Sequence, residues 1–335
     1  MKRLVILAPN WLGDAVMALP AIADVRRQSP SVSITVAARP AVAPLFQLVP
    51  AVNDTIVLPG AVAIRDVSTW RLLGAELADH QFDTALLFPN SLHSALIAFR
   101  AGIGERWGYR AGWRGGLLTR AIRRTRGLHQ VEYYQRLVGA LGFANGPMEP
   151  CVTVPDGARN AAARLLAGGG WDGRVPLLAL APGAAYGGAK RWPPAYFAEL
   201  ADSLAVDGMR CVMIGGRADG ATGLEILRSL ERRDAIIDLI GQTDLPTLAG
   251  VLAYSRGLVT NDSGAMHLAA AAGVSVTAVF GPTDDTATRP LGDAHVVLVH
   301  PVWCRPCMLR ECPIDHRCMR GIKVASVRDA ARRTL

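Results

Sequence analysis

Residues 257–273 read Gly257-Leu258-Val259-Thr260-Asn261-Asp262-Ser263-Gly264-Ala265-Met266-His267-Leu268-Ala269-Ala270-Ala271-Ala272-Gly273. An apolar run enters a short polar turn, and an alanine-rich run leaves it. This is the pattern of a buried strand, a tight turn and a helix start. Asp262 and Ser263 are helix-capping types, and Gly264 lets a ligand approach the backbone. Unpaired N–H groups at the helix start, with the positive end of its dipole, favour an anion, most often a phosphate. His267 stands one turn further on, on the side of Ser263. An ordinary capped helix carrying a half-buried histidine accounts for the same letters, so neighbouring segments must decide.

The same rhythm extends in both directions. In the second half, strands are predicted at 177–181, 211–214, 236–239, 257–260 and 274–280, with helices at 194–206, 220–230, 245–254 and 265–272. In the first half, strands are predicted at 4–8, 33–37, 55–58 and 84–88, with helices at 15–27 and 70–80. Between the halves, residues 139–173 are rich in Gly and Pro around a short helix at 158–167. Alternation of this kind predicts an α/β chain of two doubly wound, Rossmann-like domains facing across a cleft, with ligands at the C-terminal ends of the strands. The expected division is 1–155, then 156–322 with a cysteine-rich segment at 304–318, then a basic amphipathic helix within 323–335 able to pack across the boundary.

The chain has 335 residues, half of them hydrophobic, which suits two domains with cores of their own. No apolar run is long enough to span a membrane. The start resembles a signal peptide, but its apolar core at 4–8 is short and is followed by Pro9, Asn10 and Asp14. It reads as a buried strand of a cytoplasmic protein. The net charge of +8 is concentrated. Residues 100–126 hold eight arginines against the single acid Glu105, with Trp107, Tyr109 and Trp113 among them. Such a stretch suits a polyanion or an anionic membrane surface; a solvated basic face is the alternative.

Several strand ends carry chemistry. The first strand runs into Pro9-Asn10-Trp11-Leu12-Gly13-Asp14, where Asp14 is either a helix cap or a general base. The strand at 177–181 runs into Pro182-Gly183-Ala184-Ala185-Tyr186-Gly187-Gly188-Ala189-Lys190-Arg191-Trp192-Pro193, a glycine-rich anion cradle with a cationic end. It is not a Walker A loop, and neither half opens with G-x-G-x-x-G. Gly241-Gln242-Thr243 and Gly281-Pro282-Thr283-Asp284 also follow strands. Four polar loops at one sheet edge point to a phosphorylated, nucleotide-like ligand. Ser263 and His267 lack the G-x-S-x-G elbow of a hydrolase. Cys304, Cys307, Cys312 and Cys318 have the look of a zinc or iron–sulfur clip, or of reduced thiols in a loop, whereas Cys151 and Cys211 read as core.

The stretch 10–16 (Asn-Trp-Leu-Gly-Asp-Ala-Val), Ala189-Lys190-Arg191-Trp192-Pro193, Asp262-Ser263-Gly264 with His267, and Gly281-Pro282-Thr283 together resemble the ADP-heptose:lipopolysaccharide heptosyltransferases, glycosyltransferase family nine. The resemblance covers essentially the whole chain in order. The Trp-Leu-Gly-Asp start and the cysteine cluster look most like the branch that adds the second heptose of the inner core. The resemblance implies a GT-B fold with an N-terminal acceptor domain and a C-terminal donor domain. It implies inverting transfer from ADP-heptose to a heptosyl-Kdo2-lipid A acceptor, with no cofactor required. Asp14 would be the base, and Lys190 would neutralise the donor diphosphate. Gly183, Ala184, Asp262, Ser263, Gly264 and His267 would hold the diphosphate and sugar, and Thr243 would lie by the adenine. Asn10, Trp11 and Gly13, with Arg106, Arg110, Arg120 and Arg123, would meet the anionic acceptor at the inner leaflet of the membrane. Relatives of the first-heptose type carry an acid directly after the strand at 211–214; here Gly215-Gly216-Arg217 intervenes before Asp219.

Two other readings stay open on the sequence. One is a nucleotide-sugar epimerase, or a transferase using another donor. The other is a polyanion-binding protein with a zinc module, though no RRM, helix-turn-helix or C2H2 pattern is present and no nucleic-acid partner is expected.

Overall fold

The computed structural model describes residues 1–59 and 67–333, and the chain divides into two units, Met1–Pro150 and Cys151–Leu335. In the first unit, β1 (Arg3–Leu7), β2 (Ser33–Ala38), β3 (Asp54–Val57), β4 (Thr84–Leu87), β5 (Glu105–Arg110) and β6 (Arg120–Arg123) form one parallel sheet in the order β3-β2-β1-β4-β5-β6. Helices α1 (Leu12–Met17), α2 (Leu19–Gln28), α3 (Val67–Asp79), α4 (Leu92–Arg100) and α5 (Gln130–Ala140) belong to this unit. Leu4 of β1 pairs with Ile34 on one side and Thr84 on the other, so the strand order reverses between β1 and β4. A ligand of such a sheet binds beyond the carboxyl ends of those two strands.

The second unit repeats the plan. Its strands are β7 (Leu177–Ala181), β8 (Arg210–Met213), β9 (Ile236–Asp238), β10 (Gly257–Asn261), β11 (Ser275–Phe280) and β12 (Val296–Val299). They are parallel in the order β12-β11-β10-β7-β8-β9, which reverses between β7 and β10. Helices α6 (Asp156–Gly168), α7 (Pro194–Val206), α8 (Gly220–Ser229), α9 (Leu245–Tyr254), α10 (Gly264–Ala271), α11 (Asp285–Thr288), α12 (Arg317–Arg320) and α13 (Val324–Arg333) accompany them. The closing helix α13 packs on α7 and beneath β10, β11 and β12 through Val324, Val327 and Ala331. Strands β7 and β10 are buried at every position, as expected of strands covered on both faces.

Three local differences from the sequence reading have physical causes. The single helix expected at 15–27 is two, broken at Ala18, because Pro20 has no N–H to give the preceding turn. The basic stretch 100–126 contains two strands, β5 and β6, hidden by their arginines. Cys211 is buried as expected, and burial pushes its thiol up to about 12, but Cys151 is exposed.

The first unit is fastened by a buried carboxylate. Asp24 of α2 accepts from Gln135 of α5 (2.9 Å), from the backbone N–H of Gly146 (3.0 Å) and from Arg27 (2.9 Å). A buried charge with three donors holds the 145–147 turn against two helices. Removing it would leave the Gly146 N–H unpaired at about 1–3 kcal/mol, whereas Gln135 keeps its bonds to the carbonyls of Gly146 and Pro147 (3.2 Å each).

Candidate active site

The second unit gathers its polar loops at the β7/β10 reversal. Asn261, the last residue of β10, is fully buried. Its Oδ1 accepts from the Trp192 N–H (3.0 Å), and its Nδ2 donates to the carbonyls of Pro182 (2.7 Å) and Gly183 (3.4 Å). One side chain thus ties the loop after β7, the approach to α7 and the turn after β10. Trp192 is the anchor of the second of these. It has no exposed surface, donates through Nε1 to Ile322 O (2.9 Å), and meets Tyr196 and Phe197 edge-on. Burying an indole with its N–H satisfied stabilises by a few kcal/mol, roughly, and this fixes the backbone two residues before it.

That backbone carries Lys190. Its Nζ lies 2.5 Å from Asp262 Oδ2, with the side chains only 12 % and 8 % exposed. The same carboxylate oxygen accepts from Thr283 Oγ1 (2.7 Å). Lys190 Nζ also sits 4.8 Å from the Tyr186 ring centroid, which further favours a cation there. The sequence placed Lys190, Asp262 and Thr283 in three separate loops; the structure brings them into one chain of hydrogen bonds. Asp262 is thereby a carboxylate that aims Lys190. A negative group of this kind supports an anion site indirectly, through the cation it holds.

Ser263 is the N-cap of α10, but its side chain makes no capping bond to the helix; its hydroxyl lies 3.1 Å from Thr260 Oγ1. The α10 start follows directly after Asp262, so its dipole reinforces Lys190. His267 is buried one turn into α10. Gly183 leaves room for Asp219, whose carboxylate a side chain at 183 would strike. Asp219 also accepts from the Gly216 N–H (2.9 Å). The Gly215-Gly216-Arg217 turn therefore leads an acid, Asp219, to the loop after β7. Thr243 is half-buried in the loop after β9, and Gly241 there bonds through its N–H to Gly215 O (2.9 Å). Ala184 is buried beside Gly183.

The cysteine-rich segment has a role that its spacing did not announce. Tyr186 donates to Met308 O (2.8 Å), Ala189 N–H to Arg310 O (2.9 Å), and Gly188 N–H to the Glu311 carboxylate (3.0 Å). Arg305 donates to Gly281 O (2.8 Å), Thr283 O (3.2 Å) and Asp285 (2.6 Å). The segment straps the loop that bears Lys190 to the loop that bears Thr283. Gly187, at φ +154°, is required because any side chain there would meet the Arg310 carbonyl. The glycines expected to cradle an anion thus also admit the chain's own strap. Of the two readings of Cys304, Cys307, Cys312 and Cys318, the geometry does not support the metal clip. Among the described residues no three or more His, Cys, Asp or Glu side chains are arranged to hold a metal ion. Cys318 is turned into the core against Gly281, where burial pushes its thiol up.

In the first unit, the N-cap of α1 is Trp11, so Asp14 falls in the first helical turn and does not occupy the cap position itself. Asp14 and Gly13 are half-buried, and Asn10 is exposed. Tyr134 is close enough to feel Asp14: burial, and then that carboxylate, push its phenol well up. Trp11 is 52 % exposed. The arginines divide into two groups. Arg114 is fully buried, donating to the carbonyls of Tyr109, Pro89 and Ser91, and burial pulls its pKa down to about 10. Arg106 is half-buried, turned onto the carbonyls of Ile103, Gly104 and Leu117 and over the Phe99 ring. Arg110, Arg120 and Arg123 are exposed, Arg120 lying over Trp107. Trp113 is 95 % exposed among them.

Among the described residues no helix is long and apolar enough to cross a membrane. Residues 70–317 match glycosyltransferase family 9 (heptosyltransferase). Lipopolysaccharide heptosyltransferase 2 of Escherichia coli (strain K12) is 32 % identical over 300 residues, 86 % of this chain and 85 % of that protein. Lipooligosaccharide heptosyltransferase 2 of Haemophilus influenzae is 32 % identical over 311 residues, 88 % of each. The solved structure of E. coli ADP-heptose lps heptosyltransferase II matches with a TM-score of 0.85 at 30 % identity, covering 100 % of this chain and 98 % of that one. With two parallel six-stranded sheets, the architecture is of GT-B type. The chain belongs to glycosyltransferase family 9, the heptosyltransferases, and is a glycosyltransferase.

Proposed function

We propose that the protein moves L-glycero-D-manno-heptose from ADP-heptose onto the heptosyl-Kdo2-lipid A inner core of lipopolysaccharide, with inversion at the anomeric carbon. The second unit takes the donor and the first the acceptor. The observation that carries this reading is the Lys190–Asp262–Thr283 chain beside the start of α10, in a chain whose relatives are heptosyltransferases.

The acceptor oxygen attacks the anomeric carbon as the bond to the diphosphate oxygen breaks. Asp14 takes the hydroxyl proton, and ADP leaves. The negative charge that builds on the leaving diphosphate is met by Lys190 and the α10 amides of Gly264 and its neighbours, a fixed electrostatic arrangement that needs little reorganisation. That supplies the stabilisation a divalent cation gives elsewhere, so the transfer is expected to need no metal. In this reading Ser263 and His267 contact the diphosphate and sugar, Gly183 and Ala184 form the loop that carries the donor, and Thr243 borders the adenine. Asn10, Trp11 and Gly13 meet the acceptor. The exposed Arg110, Arg120 and Arg123, with Trp113, meet the phosphates of an anionic membrane surface, where an indole and arginines sit well together.

Calorimetric titration with ADP, UDP and GDP tests the donor assignment. ADP is expected to bind about tenfold or more tightly than either of the others. Preference for UDP would remove the heptose reading and favour another nucleotide sugar.

A further inference from the structure

Two cations share one aromatic ring in the second unit. Lys190 Nζ lies 4.8 Å from the centroid of the half-buried Tyr186 ring, and Arg310 Cζ lies 5.4 Å from it. The loop after β7 brings the first, and the cysteine-rich strap brings the second. The backbone at Arg310 is fixed on that loop: its carbonyl accepts from the Ala189 N–H (2.9 Å), and Gly187 has no side chain to obstruct it. The charges beside the two cations are unequal. Lys190 is matched by Asp262. Elsewhere on the strap, Arg305 is matched by Asp285 (2.6 Å) and Arg317 by Asp315 (3.0 Å). Arg310 is exposed and enters none of the ion pairs among the described residues. The acid next to it, Glu311, accepts from the Gly188 N–H (3.0 Å). A lysine already paired with a carboxylate leaves little net charge, and the start of α10 adds only about half a positive charge. A diphosphate carries more than that, so this corner needs a further cation with free donors.

We infer that Arg310 is that cation: it joins Lys190 at the donor diphosphate and grips the phosphate farther from the nucleoside. A guanidinium held over an aromatic ring keeps the N–H donors of its own plane free, and these can meet two phosphate oxygens side by side, a geometry that a lysine cannot match. Tyr186 is the platform that keeps both cations at one place. The inference rests on the reading of the second unit as the donor side, and it gives the strap a ligand contact of its own besides the two loops it ties.

The test titrates ADP, AMP and inorganic pyrophosphate by calorimetry into the full-length protein and into Arg310→Gln and Arg310→Lys. In Arg310→Gln the dissociation constants for ADP and pyrophosphate should rise about tenfold or more, and in Arg310→Lys by less, as expected for loss of a charge-assisted pair. AMP, which lacks the second phosphate, should bind both variants within about twofold of wild type, a split that a merely structural role would not produce. The strap's link to Ala189 runs through the Arg310 carbonyl, which both variants keep, so their melting temperatures without ligand should stay close to that of the wild type. ADP and pyrophosphate affinities unchanged in Arg310→Gln would overturn the inference, and so would an AMP affinity that falls as far as that for ADP. Pyrophosphate binding that depends on Arg310 in a protein that prefers UDP to ADP would support the role of Arg310 and count against the heptose reading. Tight ADP binding indifferent to Arg310 would do the reverse, so the two fail separately.

Discussion

Asp14→Asn is expected to lower kcat for heptose transfer about 10³-fold while leaving ADP affinity within about twofold of wild type, the span typical for loss of a general base. The residue is suited to this because Trp11, not Asp14, is the N-cap of α1, so the position is not explained by the need to cap a helix. Asparagine keeps the shape and removes the proton-accepting charge, so the fold is preserved. Donor binding, which the proposal gives to the other unit, should not respond. Rapid-quench transfer kinetics beside calorimetric ADP binding separate the two effects. Near-normal transfer by Asp14→Asn would reduce the residue to a helix-start carboxylate, and an equal loss of ADP affinity would point to general damage.

Lys190→Ala is expected to weaken ADP binding by about two orders of magnitude and to lower kcat as well, since a charge-assisted contact is lost and a repulsive one is exposed. Asp262, 8 % exposed, would keep only the Thr283 hydroxyl among the two donors named for Oδ2, and its uncompensated charge would face the diphosphate. The second consequence gives the prediction its specificity. Adding Asp262→Asn to Lys190→Ala should restore part of the lost affinity, because the neutral amide no longer repels the ligand. Affinities that simply fall further in the double variant would mean that Asp262 contacts the donor in its own right. Unchanged ADP affinity in Lys190→Ala would remove the lysine from the diphosphate site.

The strand–turn–helix at 257–273 was legible because each of its levels agrees: an apolar run, a polar turn and an alanine-rich helix. β10 and α10 fall within a residue of where those letters put them. Most strands of both sheets could be read in the same way, since strands covered on both faces are short continuous apolar runs. β5 and β6 could not. Arg106 and Arg110 alternate with Trp107 and Tyr109 in β5, but Glu105 shares the aromatic face, and the density of charge obscured the period. Nothing in the letters marks Arg114 as the buried member of its group; its place depends on carbonyls of Pro89 and Ser91 more than twenty residues away. β12 is four residues long at a sheet edge and gives little periodic signal.

The site shows the same division. Lys190 and Asp262 could each be picked out by loop chemistry, but they are 72 residues apart and only the β7/β10 reversal brings them together. Asn261 and Trp192, which hold that arrangement, stand in the polar turn and in the 189–193 stretch, but nothing in the letters showed that one bonds to the other. The cysteine-rich segment was conspicuous for its thiols, whereas its contribution to the site runs through the backbone carbonyls of Met308 and Arg310 and the side chains of Arg305 and Glu311. Backbone acceptors carry no residue-type signature, so a pattern of cysteines was the visible feature and the strap was not.

The account is tested most directly by incubating the purified wild-type protein with ADP-heptose and two acceptors, Kdo2-lipid A with and without its first heptose, and weighing the products by mass spectrometry. A single heptose added to the heptosylated acceptor, with one ADP released per transfer and the unheptosylated acceptor left unchanged, is the predicted result. ADP-heptose left intact in the presence of both acceptors would contradict it.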